Sequence, residues 1–219
     1  MKKLIIFDLD GTLLDTIGDL AAATNYALRE YGLPEHPEAS FRYFVGNGLN
    51  KLIERALPEG RRSADDISMV KHLFLNYYQT HGEEQTRPYP GIRNLLSDLH
   101  QKGYLLAVAS NKYHEGTTAL VGHFFPEIPF SGVLGQRDGV PVKPSPVILE
   151  ELWGKAGVTK EETLYVGDSG VDAATAVNAG VDFVGVLWGF RPQSELAAAG
   201  AVHFAQKAEE ISAFCEREW

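Results

Sequence analysis

The spacing of apolar residues predicts a strand first and a helical region after it. Residues 4–7 form a short, unbroken apolar run followed by polar residues, which is typical of a buried parallel strand that ends in a loop. The apolar spacing then becomes helical, with Thr16 placed to cap a first helix and Gly32 placed to end it. Further helical patterns lie over 49–56 and around 67–78, so this part of the chain is predicted to contain helices and no strand.

A proline-rich segment, residues 87–91, separates the helical region from the rest of the chain. Beyond it, strands and helices alternate. Predicted strands lie at 104–109, 130–134, 164–166 and 183–187, with a short one near His203, and predicted helices lie at 92–99, 147–153, 173–179 and from Ala208. This alternation predicts a parallel sheet covered by helices on both faces.

The first strand belongs to the same sheet, although only helical sequence follows it for a long stretch. The simplest arrangement is an α/β fold with an all-helical domain inserted after strand 1. We predict a core of residues 1–14 and 87–219 and a helical cap domain of residues 15–86. The cap would lie above the carboxyl ends of the strands, where ligands of open α/β sheets bind.

Composition and charge narrow the class of partner. The 219 residues are 44% hydrophobic, which suffices for a packed core. The net charge is −9, with 20 Lys and Arg against 29 Asp and Glu, so nucleic-acid binding is disfavoured. With Cys215 as the one cysteine, no internal disulfide can form, and a cytoplasmic location fits best. Asp8 and Asp10 interrupt the first apolar run too early for a signal peptide, and no stretch approaches a membrane span.

Polar residues follow three predicted strands of the core. Strand 1 ends in Asp8-Leu9-Asp10-Gly11-Thr12, the strand at 104–109 in Ser110-Asn111-Lys112, and the strand at 164–166 in Gly167-Asp168-Ser169 with Asp172 four positions after Asp168; Lys143-Pro144 lies between the last two. Because parallel strands bring their carboxyl ends to one edge of the sheet, these groups are expected to meet in a single site.

Oxygen-rich and cationic groups in one place suit phosphoryl transfer. Asp8 can act as a nucleophile that forms an aspartyl phosphate. Mg²⁺ prefers oxygen ligands, which Asp8, Asp168 and a backbone carbonyl near Asp10 can supply, while Asp172 can bind through a water or orient the others. The metal and Lys143 would keep Asp8 ionised and reduce its repulsion from the phosphate.

Such a site also needs a group that exchanges protons with the leaving group and groups that bind the phosphate oxygens. Asp10, two residues after Asp8, can face the leaving group and exchange protons with it. Ser110, with Thr12 and Asn111 and the backbone N–H groups of these two turns, can hold the phosphate oxygens.

Each motif alone also has a purely structural interpretation. The Asp8–Gly11 segment can be a polar turn, Ser110-Asn111 can cap a helix, and Lys143 can be a solvated surface residue. Their joint occurrence, in this order and after these strands, favours the functional interpretation over the structural ones.

These motifs resemble the haloacid dehalogenase superfamily. Residues 8–15 (Asp-Leu-Asp-Gly-Thr-Leu-Leu-Asp) look like its first motif, Ser110-Asn111 its second, Lys143-Pro144 its third, and residues 167–172 its fourth. The resemblance covers essentially the whole chain and implies a Rossmann-like core with a helical cap inserted after strand 1. It also implies the roles argued above: Asp8 nucleophile, Asp10 acid and base, Ser110 and Lys143 on the phosphate, Asp168 and Asp172 at the magnesium site.

Within the superfamily the chain most resembles phosphoglycolate phosphatases, on residues 18–28 and 45–49. Ser145 follows Lys143-Pro144 where relatives often have His or Asp, a departure that does not touch the predicted chemistry.

Substrate selectivity is expected to reside in the cap. Gly46-Asn47-Gly48 is a candidate substrate loop, because glycines let backbone N–H groups approach an anion; a simple turn between helices is the alternative. Arg42, Lys51 and Arg55 are nearby cations that can meet a substrate carboxylate or remain solvated.

The sequence thus predicts a Mg²⁺-dependent phosphatase that hydrolyses a small phosphorylated metabolite through an aspartyl phosphate, as a monomer or a homodimer. A phosphosugar mutase of the same fold would share every catalytic residue, and a non-enzymatic phosphate-binding domain would share the architecture. A dehalogenase is disfavoured because it has no use for Asp10, and a protein phosphatase because the cap would obstruct a folded substrate.

Overall fold

Six parallel strands form the central sheet of the computed structural model, which describes residues 1–217. In chain order the strands are β1 (Leu4–Phe7), β2 (Leu14–Asp15), β3 (Arg87–Pro88), β4 (Leu105–Tyr113), β5 (Gly132–Gln136), β6 (Thr163–Gly167), β7 (Asp182–Val186) and β8 (Phe204–Ala205). All of these strands except β2 and β3 belong to the central sheet, in which the order is β5-β4-β1-β6-β7-β8. The helices are α1 (Ile17–Glu30), α2 (Glu38–Phe44), α3 (Leu49–Ala56), α4 (Ala64–His81), α5 (Ile92–Gln101), α6 (His114–Phe124), α7 (Val147–Ala156), α8 (Gly170–Ala179), α9 (Gln193–Ala198) and α10 (Ile211–Glu216).

The register of the central strands places the end of β1 between its two neighbours. In β1, Phe7 lies opposite Val108 of β4 on one side and opposite Val166 of β6 on the other. The next residue along β1 is Asp8, so it emerges between the ends of its two neighbours. The sheet order therefore reverses direction at β1, which is where open α/β sheets place their ligands.

Helices cover both faces of this sheet, as the sequence predicts. Ile5 and Phe7 face one hydrophobic cluster, while Leu4 and Ile6 face the other. This alternation follows from the two-residue repeat of a strand, and it explains why β1 is an unbroken apolar run.

Helices α1–α4 lie between β2 and β3, which pair with each other as a short antiparallel ribbon. They enclose a third hydrophobic cluster, to which Phe190 from the loop after β7 also belongs. Asp19 at the start of α1 is buried and accepts hydrogen bonds from Gln85 and Thr86. These bonds join the chain segment that enters the four helices to the segment that leaves them. The division into a core and a cap of residues 15–86 stays a prediction, and the last two residues of the predicted core range lie outside the described residues.

Some elements differ from the sequence prediction. Helices α2, α6 and α9 were not predicted; α6 contains two glycines and two threonines, which lower its intrinsic helix propensity. Strand β4 continues through Ser110-Asn111 to Tyr113, so the suggestion that these residues cap a helix is wrong. Thr16 does precede α1, but its hydroxyl is buried without a hydrogen-bond partner.

No helix between Met1 and Arg217 has the combination of length and apolar character required to cross a membrane.

Candidate active site

Three buried carboxylates meet at the carboxyl edge of the sheet. Asp8 follows β1, Asp168 follows β6, and Asp172 lies in the first turn of α8. Each contributes an oxygen to a group whose members all lie within 4.8 Å of one another. A cluster of hard oxygen donors at this spacing is the kind of site that binds Mg²⁺.

Lys143 is the cation that balances this cluster. Its ammonium lies 2.8 Å from Asp8 Oδ1 and 2.7 Å from Asp172 Oδ1, and it also donates to the Tyr165 hydroxyl and the Ala109 carbonyl at 3.0 Å each. The side chain is only 2% exposed. Burial alone would lower the pKa of Lys143, but the two carboxylates reverse this effect and raise the pKa, so the ammonium stays charged.

The carboxylates carry more negative charge than Lys143 neutralises. Burial, with the charge of Asp172, raises the pKa of Asp8 well above its ordinary value, although Lys143 opposes the shift. The same two causes raise the pKa of Asp168 to about 7. Burial would also raise the pKa of Asp172, but the charge and hydrogen bond of Lys143 lower it overall. A divalent cation would offset the remaining charge, so the donor set fits Mg²⁺ both chemically and electrostatically.

Both carboxylate oxygens of Asp172 accept hydrogen bonds from the protein. Lys143 and Tyr165 contact its Oδ1, while the N–H and hydroxyl of Ser169 donate to Oδ2. Asp168 has fewer contacts: the Phe190 N–H donates to its Oδ2 at 2.7 Å. Asp172 is thus placed to orient Lys143, and Asp168 is the freer metal-ligand candidate.

Asp10 follows Asp8 by two residues and faces the cavity. Its carboxylate is partly exposed and lines the cavity, and its Oδ1 lies 3.4 Å from the ammonium of Lys112. Gly11 permits this turn: its φ is +89°, and a Cβ there would lie 2.3 Å from Asp168 Oδ2.

The three predicted phosphate-binding residues have different surroundings. Ser110 is buried at the cavity wall, where its Oγ accepts a hydrogen bond from the Lys112 N–H. Thr12 is fully buried and its hydroxyl is directed at Asp168 Oδ1, 3.4 Å away, rather than at the cavity.

Asn111 acts as a bridge through its side chain. Its Nδ2 donates to the carbonyls of Gly46 and Lys143, and its Oδ1 accepts from the Lys143 N–H at 2.9 Å. The side chain thereby links the loop that contains Lys143 to the predicted substrate loop. Both hydrogen-bond donors of its amide are used in these contacts.

The predicted substrate loop contributes its glycines to the cavity. Gly46 and Gly48 line it, while the side-chain amide oxygen of Asn47, Oδ1, instead accepts a hydrogen bond from Arg55. Arg42 contacts the Gly189 carbonyl. Lys51 pairs with Glu54 on the surface. None of the three predicted cap cations, Arg42, Lys51 and Arg55, is among the residues that line the cavity.

Sequence reasoning missed two contributors to the site and gave a third no role. Tyr165 supports Asp172 and Lys143 from within β6, Phe190 provides the N–H that holds Asp168, and Lys112 is a buried cation beside Asp10. Only Lys112 had a sequence signal, because it directly follows Ser110-Asn111. Tyr165 and Phe190 look like ordinary core residues.

A carboxylate cluster and a buried lysine at the carboxyl edge of a parallel α/β sheet, beside a cavity that a further aspartate lines, form the kind of site that metal-assisted hydrolases use. The family described as haloacid dehalogenase-like hydrolase matches residues 5–186. The chain therefore belongs to the haloacid dehalogenase-like hydrolases.

Individual relatives are similar over nearly the full length. A phosphoglycolate phosphatase of Vibrio cholerae is 37% identical over 90% of this chain and 89% of its own length. One of Mesorhizobium japonicum is 38% identical over 86% of this chain and 84% of its own. A crystal structure from Lactobacillus delbrueckii subsp. bulgaricus, provisionally named a phosphoglycolate phosphatase, is 34% identical and superposes with a TM-score of 0.92 over 98% of this chain and 99% of its own.

Proposed function

We propose that this protein is a Mg²⁺-dependent phosphatase that hydrolyses a small phosphomonoester through a phosphoryl intermediate on Asp8. Its class, a phosphoric monoester hydrolase, follows from its family and from relatives named as phosphoglycolate phosphatases. The observation that carries the mechanism is the grouping of Asp8, Lys143 and Asp168, together with the cavity that Asp8, Asp10 and Lys143 line.

Asp8 is held in a way that leaves one oxygen available. Its Oδ1 accepts the Leu9 N–H at 2.7 Å and contacts Lys143, while its Oδ2 accepts no hydrogen bond from residues 1–217. In the first step Oδ2 attacks phosphorus, the bond from phosphorus to the ester oxygen breaks, and Asp10 gives its proton to the departing oxygen.

The second step regenerates the enzyme. Asp10, now a carboxylate, removes a proton from a water molecule that attacks phosphorus. Inorganic phosphate leaves, Asp8 returns as a carboxylate, and Asp10 is again an acid. Lys143 and Ser110 stabilise the charge on the phosphoryl oxygens through both steps.

The residues that would hold the metal are Asp8, Asp168 and the backbone carbonyl of Asp10, with Asp172 orienting the site. When bound, Mg²⁺ supplies positive charge against the phosphate oxygens and reduces their repulsion from Asp8.

The helical segment of residues 15–86 is proposed as the cap. Leu20, Leu49, Leu52 and Phe74 from this segment line the same cavity as Asp8. Apolar side chains above a phosphoryl-transfer site exclude water, which strengthens every electrostatic contact inside it.

Phosphoglycolate is the proposed substrate, because relatives that carry this name match nearly the whole chain. A phosphosugar mutase of the same fold remains the alternative. Product analysis separates the two: a mutase returns a rearranged sugar phosphate, and a phosphatase releases inorganic phosphate in proportion to substrate consumed.

Removal of the metal should abolish turnover. We expect dialysis against EDTA to lower phosphate release at least about 100-fold, because the phosphate would then meet several uncompensated carboxylates. Added Mg²⁺ should restore activity, and Ca²⁺ should restore little of it because its larger, looser coordination shell disturbs the geometry. Full activity in chelator would contradict the proposed metal requirement.

Gly48→Ala should impair the substrate loop selectively. Gly48 has a φ of +84°, and a Cβ there would lie 2.7 Å from Gln136 Oε1 and 3.4 Å from the Asn111 carbonyl. We expect kcat/KM for 2-phosphoglycolate to fall at least about tenfold, and that for 4-nitrophenyl phosphate to fall less.

Gly103→Ala is the matched control for this loop variant. Gly103 has a φ of +87°, and its Cβ would meet no atom within 4 Å. Both variants should lose about 1 kcal/mol of unfolding free energy from the left-handed backbone, but only Gly48→Ala should lose activity. Equal activity in the two variants would remove residue 48 from the substrate site.

A further inference from the structure

The mechanism proposed above leaves one buried cation of the cavity without a role. Among the described residues that line the cavity, the charged side chains are Asp8, Asp10, Lys112 and Lys143. Lys143 contacts four oxygen atoms, two of them in the carboxylate cluster, and the proposed mechanism already uses it to stabilise the phosphoryl oxygens. Lys112 has no such role.

Lys112 is buried with few partners. Its side chain is only 4% exposed, and within residues 1–217 its Nζ makes a hydrogen bond to Asp10 Oδ1 at 3.4 Å and interacts with the nearby hydroxyl of Tyr78. The Nζ also lies 4.6 Å from the ring centroid of Tyr78, whose hydroxyl is itself buried and has no hydrogen-bond partner by distance and angle among residues 1–217. An ammonium group carries three donors, so the protein leaves part of this group's bonding capacity unused. Burying a charge this way is costly unless a ligand completes its contacts.

The part of the cavity wall that the helical segment provides carries no charge. It consists of apolar side chains from the helical segment, Leu20, Val45, Leu49, Leu52 and Phe74. Arg42, Lys51 and Arg55, which the sequence suggested as carboxylate readers, contact the protein elsewhere. Within the described part of the chain, Lys112 is therefore the cation of the cavity that a substrate anion beyond the phosphate can meet.

We infer that Lys112 determines specificity by binding a carboxylate on the organic part of the substrate. This inference rests on the proposed phosphatase function. Because Nζ lies beside Asp10, which faces the ester oxygen, the carboxylate must be close to that oxygen. The geometry thus selects phosphate esters of short 2-hydroxy acids, with the apolar wall excluding longer polar groups.

The inference is tested with two substrates of equal length, 2-phosphoglycolate and ethyl phosphate, which differ in the carboxylate. The wild-type protein should prefer 2-phosphoglycolate at least about tenfold in kcat/KM. Lys112→Met should lose about 10- to 100-fold on 2-phosphoglycolate, the range for a charged hydrogen bond, and only a few-fold on ethyl phosphate. Lys112→Arg should recover part of the preference.

Lys51→Met is the matched control, because it removes the same charge from an exposed lysine of the helical segment. Its substrate preference should equal that of the wild type, which excludes a general effect of net charge. A comparison on the wild type alone, between 2-phosphoglycolate and its uncharged amide, tests the same contact without any variant.

The outcomes are distinguishable. Equal losses of Lys112→Met on both substrates would mean that Lys112 only positions Asp10, and would overturn the inference. A wild type that hydrolyses both esters equally well would overturn it too, while leaving the phosphatase function intact. A wild type that releases phosphate from no ester in the presence of Mg²⁺ would overturn both.

Discussion

Asp8→Asn should prevent phosphorylation of the enzyme by every substrate, whatever its leaving group. The amide is nearly the same size as the carboxylate and can keep the contact between Oδ1 and the Leu9 N–H, so the fold should survive. It is not a nucleophile, and no aspartyl phosphate can form. We expect kcat to fall at least about 10⁴-fold for alkyl and aryl phosphates alike, within the range seen when a catalytic nucleophile is removed.

Asp10→Asn should separate the two carboxylates by leaving group. An alkyl phosphate needs a proton donor because an alkoxide leaves poorly, so its hydrolysis should be nearly lost. 4-Nitrophenyl phosphate needs the donor far less because its phenolate leaves unprotonated near neutral pH. The variant should therefore release nitrophenolate in a burst of at most one equivalent per site and then stall, because no base activates water against the phosphorylated Asp8.

The measurement is rapid-quench kinetics followed by mapping of the trapped phosphoryl group. The label should lie on Asp8 and be removed by hydroxylamine. A burst from Asp8→Asn, or a label on Asp10, would reverse the assignment of the two roles. If neither variant loses activity, the chemistry takes place elsewhere.

Lys143→Met should damage both chemistry and stability. The variant removes the ammonium that contacts Asp8 and Asp172 and leaves two buried carboxylates without their cation. Loss of one partner of a buried ion pair typically costs about 3–5 kcal/mol of unfolding free energy. Loss of a cation at the phosphoryl oxygens should lower kcat by a further factor of about 10²–10³.

Lys2→Met distinguishes these two effects. Lys2 is also buried and paired, with Asp182, but it precedes β1 at the opposite edge of the sheet. Urea unfolding should show a smaller loss of stability for Lys2→Met, because its partner Asp182 is 35% exposed, and only Lys143→Met should lose kcat under conditions where both are folded. Retention of more than about a tenth of wild-type kcat by Lys143→Met would contradict its role in catalysis.

Much of the sheet could be predicted from local sequence. β1 is bounded at Leu4 and Phe7 as the apolar run indicates, because a strand buried on both faces has no polar alternation to blur its ends. β6 and β7 were predicted to within a residue or two for the same reason. The weakly patterned α2 and the glycine-rich α6 were missed, because their helical state depends on packing more than on propensity.

The meeting of Asp8, Asp168 and Lys143 could also be anticipated. Parallel strands end at one edge of a sheet, so polar residues that follow such strands are brought together by topology. Lys143 was the hardest of the three to place, because it lies in a loop and does not follow a strand. Only its position in the order of the motifs indicated that it belongs to the site.

The sequence by itself determined the fold class and the edge of the sheet at which the polar residues meet. Only the tertiary structure decided which way those side chains point. Asn111 contacts a carbonyl 65 positions away, Thr12 faces Asp168, and Lys112 is buried beside Asp10 while the cap cations stay outside the cavity. The physical reason is that side-chain direction depends on long-range hydrogen bonds and packing, whereas periodicity reports only which face of an element is apolar.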